Sequence, residues 1–325
     1  MLQGKKVLVT GAAGFIGSNL VDKFLAQGNE VICLDNFSTG KKENIQEFIK
    51  NPLCTFIEGD IRNIDDCKKA VDGVEIVFHQ AALGSVPRSI NDPITTNAVN
   101  ISGFLNMLTA SKDAEVKRFI YAASSSTYGD HLGLPKEEDK IGKPLSPYAV
   151  TKYVNELYAD VFHKTYGIDT IGLRYFNVFG RRQDPHGAYA AVIPKFVIAM
   201  LNGESPVING EGDNSRDFTY IENVLHANEQ AAVVENSEAL NQVYNVAFGE
   251  RTDLKELYYL IRDNLSEYES SVCTIEPTFG PPRQGDVKHS LASIDKGRSL
   301  MNYQPKYGIK EGLKEATNWY YKYLK

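Results

Sequence analysis

The run Lys6-Val-Leu-Val-Thr10, Gly11-Ala-Ala-Gly14-Phe-Ile-Gly17 and Ser18 to Gln27 constrains this chain most, because a β-rich segment, three glycines and an amphipathic segment follow without a gap. The pattern predicts strand, tight turn and helix. In such a turn the first glycine permits the reversal, the second lets backbone approach a pyrophosphate, and the third lets helix and strand pack closely. The spacing is wider at its start than the usual dinucleotide fingerprint, so the next strand matters. That strand, Glu30-Val-Ile-Cys-Leu34, ends in Asp35. A carboxylate at this point accepts hydrogen bonds from an adenosine ribose and repels a 2′-phosphate, which favours NAD over NADP.

Further strand-like runs follow at Cys54 to Glu58, leading to Gly59-Asp60, and at Glu75 to His79, leading to Gln80-Ala81-Ala82. Ligands of open α/β sheets lie beyond the carboxyl ends of the strands, so Asp60 is a candidate for the adenine and Ala81-Ala82 for the adjoining ribose or diphosphate. Phe15, Ile16, Asn36 and Ile61 complete the expected cofactor contacts. His79 lies in an apolar run and is expected to be a packed core histidine. Residues 97–111 read as a helix with Ile101, Leu105 and Leu108 inward, and Arg118 to Ala122 as the next core strand. That strand delivers Ser124, Ser125 and Ser126 to the same sheet edge, where a hydroxyl can hydrogen-bond a substrate oxygen. Strands alternating with helices in this way predict an α/β fold, a Rossmann-type doubly wound parallel sheet.

Ser146-Pro-Tyr-Ala-Val-Thr-Lys152 sets a phenol and an amine four residues apart just after a proline that can open a helix. Tyr148 and Lys152 therefore share one helical face. A free phenol titrates near pH ~10, so it serves as a base at neutral pH only where a nearby cation stabilises the phenolate. Lys152 is placed for that role. The same spacing recurs at Tyr321 and Lys325, where nothing chemical surrounds it; the position of Tyr148 downstream of the glycine turn and the serine run is what singles it out.

The net charge of −6 argues against a general nucleic-acid binder, which needs a basic face. Cys33, Cys54, Cys67 and Cys273 have no metal spacing, so no metal site is expected, and reduced thiols in the cytoplasm fit best. No apolar run approaches membrane-spanning length, since even residues 189–201 carry Pro194 and Lys195. The sequons at Asn36, Asn100 and Asn264 are accordingly read as chance.

Taken together, Gly11-x-x-Gly14-x-x-Gly17, Asp35, the serine run and Tyr148-x-x-x-Lys152 resemble the extended short-chain dehydrogenase/reductase family, which acts on nucleotide sugars. The likeness continues through Leu173-Arg-Tyr-Phe-Asn177-Val-Phe-Gly180, Ser215-Arg-Asp-Phe218 and Arg283-Gln-Gly-Asp286, and so covers essentially the whole chain. Within the family, Ala82-Leu-Gly-Ser-Val-Pro-Arg-Ser89 and Gly180-Arg-Arg-Gln-Asp-Pro185 are most similar to the N-acetylhexosamine-selective UDP-N-acetylglucosamine 4-epimerases. The resemblance implies an isomerase of polysaccharide biosynthesis that takes a hydride from sugar C4 into bound NAD while Tyr148 takes the 4-hydroxyl proton and Ser124 bridges the oxygens. The resulting 4-keto sugar turns about its diphosphate link and is reduced from its other face.

The same resemblance implies that Asn177, Arg216 and Arg283 hold the diphosphate, that Asp286 holds the uridine ribose, and that Ala191, Val192, Lys195, Val207 and Asn209 lie around the uracil. Arg suits a diphosphate because its planar fork donates in pairs. Around the sugar it implies Gly84, Ser85, Ser126, Gln183 and Ser290. Dehydratases of the same fold carry an acidic pair where this chain has Ser125 and Ser126, so water elimination is disfavoured; galactose-restricted epimerases carry a tyrosine where this chain has Ser290, so a 2-acetamido group has room. A homodimer through helices near 97–111 and 148–166 is also implied. Residues 1–176, joined by about 217–250, are expected to form the NAD-binding domain, and 177–325 a smaller α/β domain for the UDP-sugar, interleaved with the first. Two other readings stand beside the epimerase of UDP-GlcNAc and UDP-GalNAc. One is the same reaction on UDP-N-acetylglucosaminuronic acid; the other is a non-catalytic NAD-binding protein, against which the retention of Ser124, Tyr148 and Lys152 speaks.

Overall fold

The computed structural model describes residues 1–186, 190–282 and 288–325. Arg283 and Asp286 therefore lie outside the described residues. Six strands alternate with helices through the first half: β1 (Lys6–Thr10), β2 (Glu30–Asp35), β3 (Cys54–Glu58), β4 (Ile76–His79), β5 (Arg118–Ser124) and β6 (Thr170–Tyr175). The two-residue β7 (Val178–Phe179), β8 (Val207–Asn209), β9 (Ser215–Arg216) and β10 (Thr219–Tyr220) follow, and then β11 (Gln242–Val246). The main sheet runs β11-β6-β5-β4-β1-β2-β3, and its pairs are parallel. The order reverses between β1 and β4, so the carboxyl ends of these two strands open a crevice.

Both faces of the sheet are covered, and for that reason the strands are nearly all apolar rather than alternating. One face packs on α1 (Phe15–Ala26), whose Leu20, Val21, Phe24 and Leu25 are buried. The other packs on α2 (Ile64–Ala70), α5 (Phe104–Asp113) and α6 (Pro147–Tyr166). Between α2 and α5 stand the short α3 (Val86–Asn91) and α4 (Pro93–Asn97). Residues 97–111 are not one helix: a π-helical turn, Ala98–Gly103, joins α4 to α5. β11 pairs in register with β6, so the chain returns to the first sheet after building β7 to β10.

Before that return, α7 (Val192–Leu201) and α8 (Ile221–Val233) form, with α8 lying against α1, β5 and β6. A fully buried carboxylate, Asp217, ties the later segments together by accepting the backbone N–H groups of Phe248 at 3.1 Å, Gly249 at 3.1 Å and Ala292 at 3.2 Å. Burial pushes its pKa up to about 7 against those donors. Further on, α9 (Leu254–Ser266), α10 (Asp295–Met301) and α11 (Ile309–Leu324) complete the chain. No helix among the described residues is long and apolar enough to cross a membrane.

Candidate active site

The glycine turn is built as its spacing demands. Gly11 has φ +66° and a Cβ there would stand 2.9 Å from Ala81 Cα, while a Cβ on Gly17 would collide with the Gly11 carbonyl. Gly14 differs, because within the protein its Cβ would meet only Gly11 O at 3.1 Å. Its other side opens on a cavity of about 570 Å³ along the carboxyl ends of the strands. The first-turn N–H groups of Phe15, Ile16 and Gly17 find no acceptor among the described residues, and all three residues line that cavity. Three converging donors at a helix N-terminus fit an anion such as a pyrophosphate. α1 itself begins at Phe15 rather than Ser18, with Gly14 as its N-cap.

Asp35 closes β2 with its Oδ2 accepting from Ala13 N at 2.9 Å and its Oδ1 from Phe37 N at 2.7 Å. Burial raises its pKa and these donors oppose the rise. The carboxylate thus braces the glycine loop as well as lining the cavity, with lone pairs still open to a ribose. Asp60 is held down to about 2, chiefly by the Arg62 guanidinium, and also accepts from Asn36 Nδ2 at 2.8 Å. His79 is a buried neutral histidine: burial pushes it down to about 3, and its Nδ1 lies 2.9 Å from the Thr10 hydroxyl, which accepts from Ala81 N at 3.1 Å. These residues fit NAD in shape and in polarity.

Ser146 caps α6 by accepting from Ala149 N at 3.1 Å, and Pro147 takes the first helical position, where a missing N–H costs nothing. The cap fixes Tyr148 at the cavity wall, its own N–H donated to Ser89 Oγ at 3.0 Å. Burial raises the phenol's pKa, and a hydrogen bond with Ser124 pulls it back. Lys152 is buried one turn along. Burial pushes its pKa down to about 8, and the Glu156 carboxylate opposes that fall. Its Nζ donates to Ala122 O at 2.8 Å rather than to the phenol, leaving two further N–H donors beside the cavity. Ser124 ends β5 and accepts from Ser126 N at 3.2 Å and Ser126 Oγ at 2.9 Å.

Two more cavities adjoin the first. One of about 940 Å³ is lined by Ala191, Val192, Lys195, Val207, Asn209 and Arg216, among others. The other, about 420 Å³, is lined by Ser124, Ser126, Arg216 and Ser290, among others. Asn177, in a left-handed conformation (φ 37°) and with its Nδ2 donating to Asp217 O at 2.9 Å, lines all three. Gly84 and Ser85 face the first cavity. Gln183 stands apart: it is not among the lining residues, and its amide bonds Val178 O at 2.9 Å and the Tyr320 hydroxyl at 3.2 Å. Among the described residues no His, Cys, Asp or Glu cluster suits a metal ion.

Sequence reasoning missed Asn100. From the π turn it accepts from Leu83 N at 2.8 Å and donates to Leu83 O at 3.2 Å and Thr151 Oγ1 at 3.1 Å, fastening the Gly84 loop to α6 beside Tyr148. Lys136 and His289 in the smallest cavity were also missed.

A cavity fit for NAD with a tyrosine, a lysine and a serine together on its wall defines a class. This chain belongs to the NAD dependent epimerase/dehydratase family, whose model matches residues 7–247. It is similar to a UDP-N-acetylglucosamine 4-epimerase from Methanobrevibacter ruminantium, solved with UDP-N-acetylmuramic acid, at 40% identity and a TM-score of 0.92 over 99% of both chains. It also resembles a UDP-glucuronic acid 4-epimerase from Bacillus cereus, solved with UDP-glucuronic acid and NAD, at 31% identity and a TM-score of 0.86 over 98% of this chain and 99% of that one. A putative UDP-glucose 4-epimerase of Methanocaldococcus jannaschii is 38% identical over 96% of this chain and 97% of its own.

Proposed function

We propose that this protein is a UDP-sugar 4-epimerase whose sugars are N-acetylhexosamines, interconverting UDP-GlcNAc and UDP-GalNAc. The observation that carries the reading is Ser124, which lines both the NAD-sized cavity with Tyr148 and Lys152 and the smaller cavity walled by Ser126 and Ser290. Short hydroxyl side chains at those two wall positions leave room for a 2-acetamido group. The similar M. ruminantium protein bears the matching activity in its name. NAD⁺, when bound, supplies the acceptor for the hydride leaving sugar C4 and the donor for its return. Tyr148 takes the 4-hydroxyl proton and gives it back, Ser124 holds the same oxygen, and Lys152 sets the charge beside the phenol.

Gly11, Gly14, Gly17 and the α1 N-terminus hold the pyrophosphate, and Asp35 the adenosine ribose. Arg216 and Asn177 hold the sugar nucleotide's diphosphate; Arg283 and Asp286 belong to the same proposal by resemblance alone. Incubating the purified protein without added cofactor with UDP-GlcNAc, UDP-Glc or UDP-N-acetylglucosaminuronic acid, and resolving products by NMR, tests the reading. A UDP-GalNAc signal rising to a plateau is the expected result, and no inversion of any sugar after NAD is supplied overturns it.

Two predictions accompany it. Asp35→Ala removes a charged acceptor and should weaken NAD binding about 10- to 100-fold, read by fluorescence titration; an unchanged affinity would assign Asp35 to bracing the loop alone. The second concerns assembly. Val150, Leu157 and Val161 project from one face of α6 and are about half exposed, beside exposed Ile90 and Ile94 on α3 and α4. Such a stripe on a soluble enzyme marks an interface, here between two copies of the chain. Leu157→Glu with Val161→Glu should raise the dimer dissociation constant by at least about 30-fold, measured by light scattering; a wild-type monomer at micromolar concentration would end this part of the proposal.

A further inference from the structure

The string Gly180-Arg-Arg-Gln-Asp-Pro185 lines none of the three cavities, yet it is tied down on two sides. On one side the buried Tyr320 hydroxyl of α11 donates to Gly180 O at 3.0 Å and to Gln183 Oε1 at 3.2 Å. On the other side α1 holds it. Asn19 Nδ2 donates to Arg181 O at 3.1 Å, and Arg182 Nη1 donates to Ser18 O at 3.1 Å. The Asp22 carboxylate accepts from Arg181 Nη1 at 2.5 Å and from Arg182 Nη2 at 3.5 Å. Arg182 itself sits at φ +68°, a left-handed conformation that a residue with a Cβ keeps only where its surroundings hold it. The loop is thus a fixed post between the C-terminal helix and the cofactor half.

One side chain of the post reaches the segment that follows Asp35. Asp184 Oδ1, which also accepts from His186 N at 3.0 Å, accepts from Lys41 Nζ at 2.9 Å. The Lys41 segment lies closed on the glycine turn: Lys41 N donates to Ala13 O at 3.0 Å, and Asn44 Nδ2 donates to the same oxygen at 2.9 Å. At Gly40 the fit is so close that a Cβ would stand 2.8 Å from Ala13 Cβ and 3.0 Å from Asp35 Oδ1. Ser38 and Thr39 of this segment line the 570 Å³ cavity beside Asp35. A dinucleotide seated between Asp35 and the glycine turn is therefore walled by a segment whose outer end is fastened to the post. We propose that Asp184 is a positioning residue of the cofactor site, which through Lys41 keeps residues 38–44 closed on the glycine turn and so slows the release of NAD. The inference rests on the NAD site and holds whichever sugar is turned over.

The test is a charge-exchange cycle: Asp184→Lys, Lys41→Asp and the two together. Each protein is loaded with isotopically labelled NAD and chased with an excess of unlabelled NAD, and the loss of label gives the release rate. Lys41 and Asp184 are both partly exposed, so the effect of the pair is moderate and screened by salt. Each single variant, which sets like charges against each other, should release NAD about 3- to 10-fold faster than the wild type. The double variant restores opposite charges across the same gap and should return to within about 2-fold of the wild-type rate. A direct action of either charge on the dinucleotide gives a different pattern, since Asp184→Lys adds a positive charge near an anion and would slow release while Lys41→Asp hastens it. Opposite signs in the two single variants therefore overturn the proposal, as do wild-type rates in both. A double variant no slower than the singles also overturns it, because damage to the fold at one position is not repaired by substituting the other.

Discussion

Replacing Tyr148 with phenylalanine is expected to lower turnover of the UDP-sugar by about 10²- to 10⁴-fold, the range typical of losing a positioned acid–base group. The fold should tolerate it, because the backbone of Tyr148 is held independently of the hydroxyl, by Ser89 Oγ and by Thr151 Oγ1, which donates to Tyr148 O at 2.8 Å. What disappears is one bond with Ser124, worth about 1 kcal/mol. NAD retention should therefore match the wild type, measured as nucleotide released on denaturing the purified protein. The combination is diagnostic. If the variant keeps NAD and loses turnover, the phenol is the proton carrier and the non-catalytic NAD-binding reading fails. If turnover survives, the proton leaves by another route, and the Ser124 hydroxyl is the group to replace next. Burial raises the phenol's pKa where Lys152 was expected to lower it. Activity at neutral pH thus requires positive charge to gather beside the phenol on binding, which the Lys152 ammonium supplies from one turn along the helix and to which the cationic nicotinamide ring of NAD⁺ would add when bound.

How legible the site was in the sequence depended on distance along the chain. The glycine turn, Asp35 and the start of α6 were readable because strand, turn and cap are local: each residue's demand is met by neighbours a few positions away. Ser146 caps Ala149 three residues on. Asn100 was unreadable for the opposite reason. Its partners lie 17 and 51 residues away, and the π turn that aims it interrupts what periodicity presents as one helix. Lys152 was correctly placed on the face of Tyr148, yet its acceptor, Ala122 O, is 30 residues back and comes from β5. Gln183 reads as a pocket residue from its surrounding string, whereas its amide is engaged by β7 and α11, elements whose meeting no local pattern announces. Parallel sheets make this unavoidable, since neighbouring parallel strands cannot be joined by a tight hairpin and are always well separated along the chain.

The largest expected loss of stability comes from Glu156→Gln. Glu156 and Arg174 form a bidentate pair with Nε–Oε1 at 2.9 Å and Nη2–Oε2 at 2.7 Å, both side chains buried, and Arg174 Nη1 donates to Glu138 O at 2.8 Å. Removing the carboxylate leaves the guanidinium buried without its counter-charge, a loss of about 3–5 kcal/mol. For a chain of this length that lowers the melting midpoint by roughly 4–7 °C. The same carboxylate lies one helical turn from Lys152 and supports its charge against burial. With a folded pKa of about 8 against an unfolded value near ~10.4, Lys152 binds more protons in the unfolded chain between those limits, so its penalty is full below pH 8 and relieved as pH rises towards ~10.4. Turnover runs the other way, because the ammonium is the useful form: activity should decline as pH rises through about 8. In Glu156→Gln the Lys152 pKa falls further, and the decline should begin at lower pH. Calorimetry and a kcat–pH profile on the same protein separate the two roles. A lowered midpoint with an unmoved profile would confine Glu156 to its partner on β6; a profile shifted to lower pH would show that the ion pair behind α6 also sets the charge at the active site.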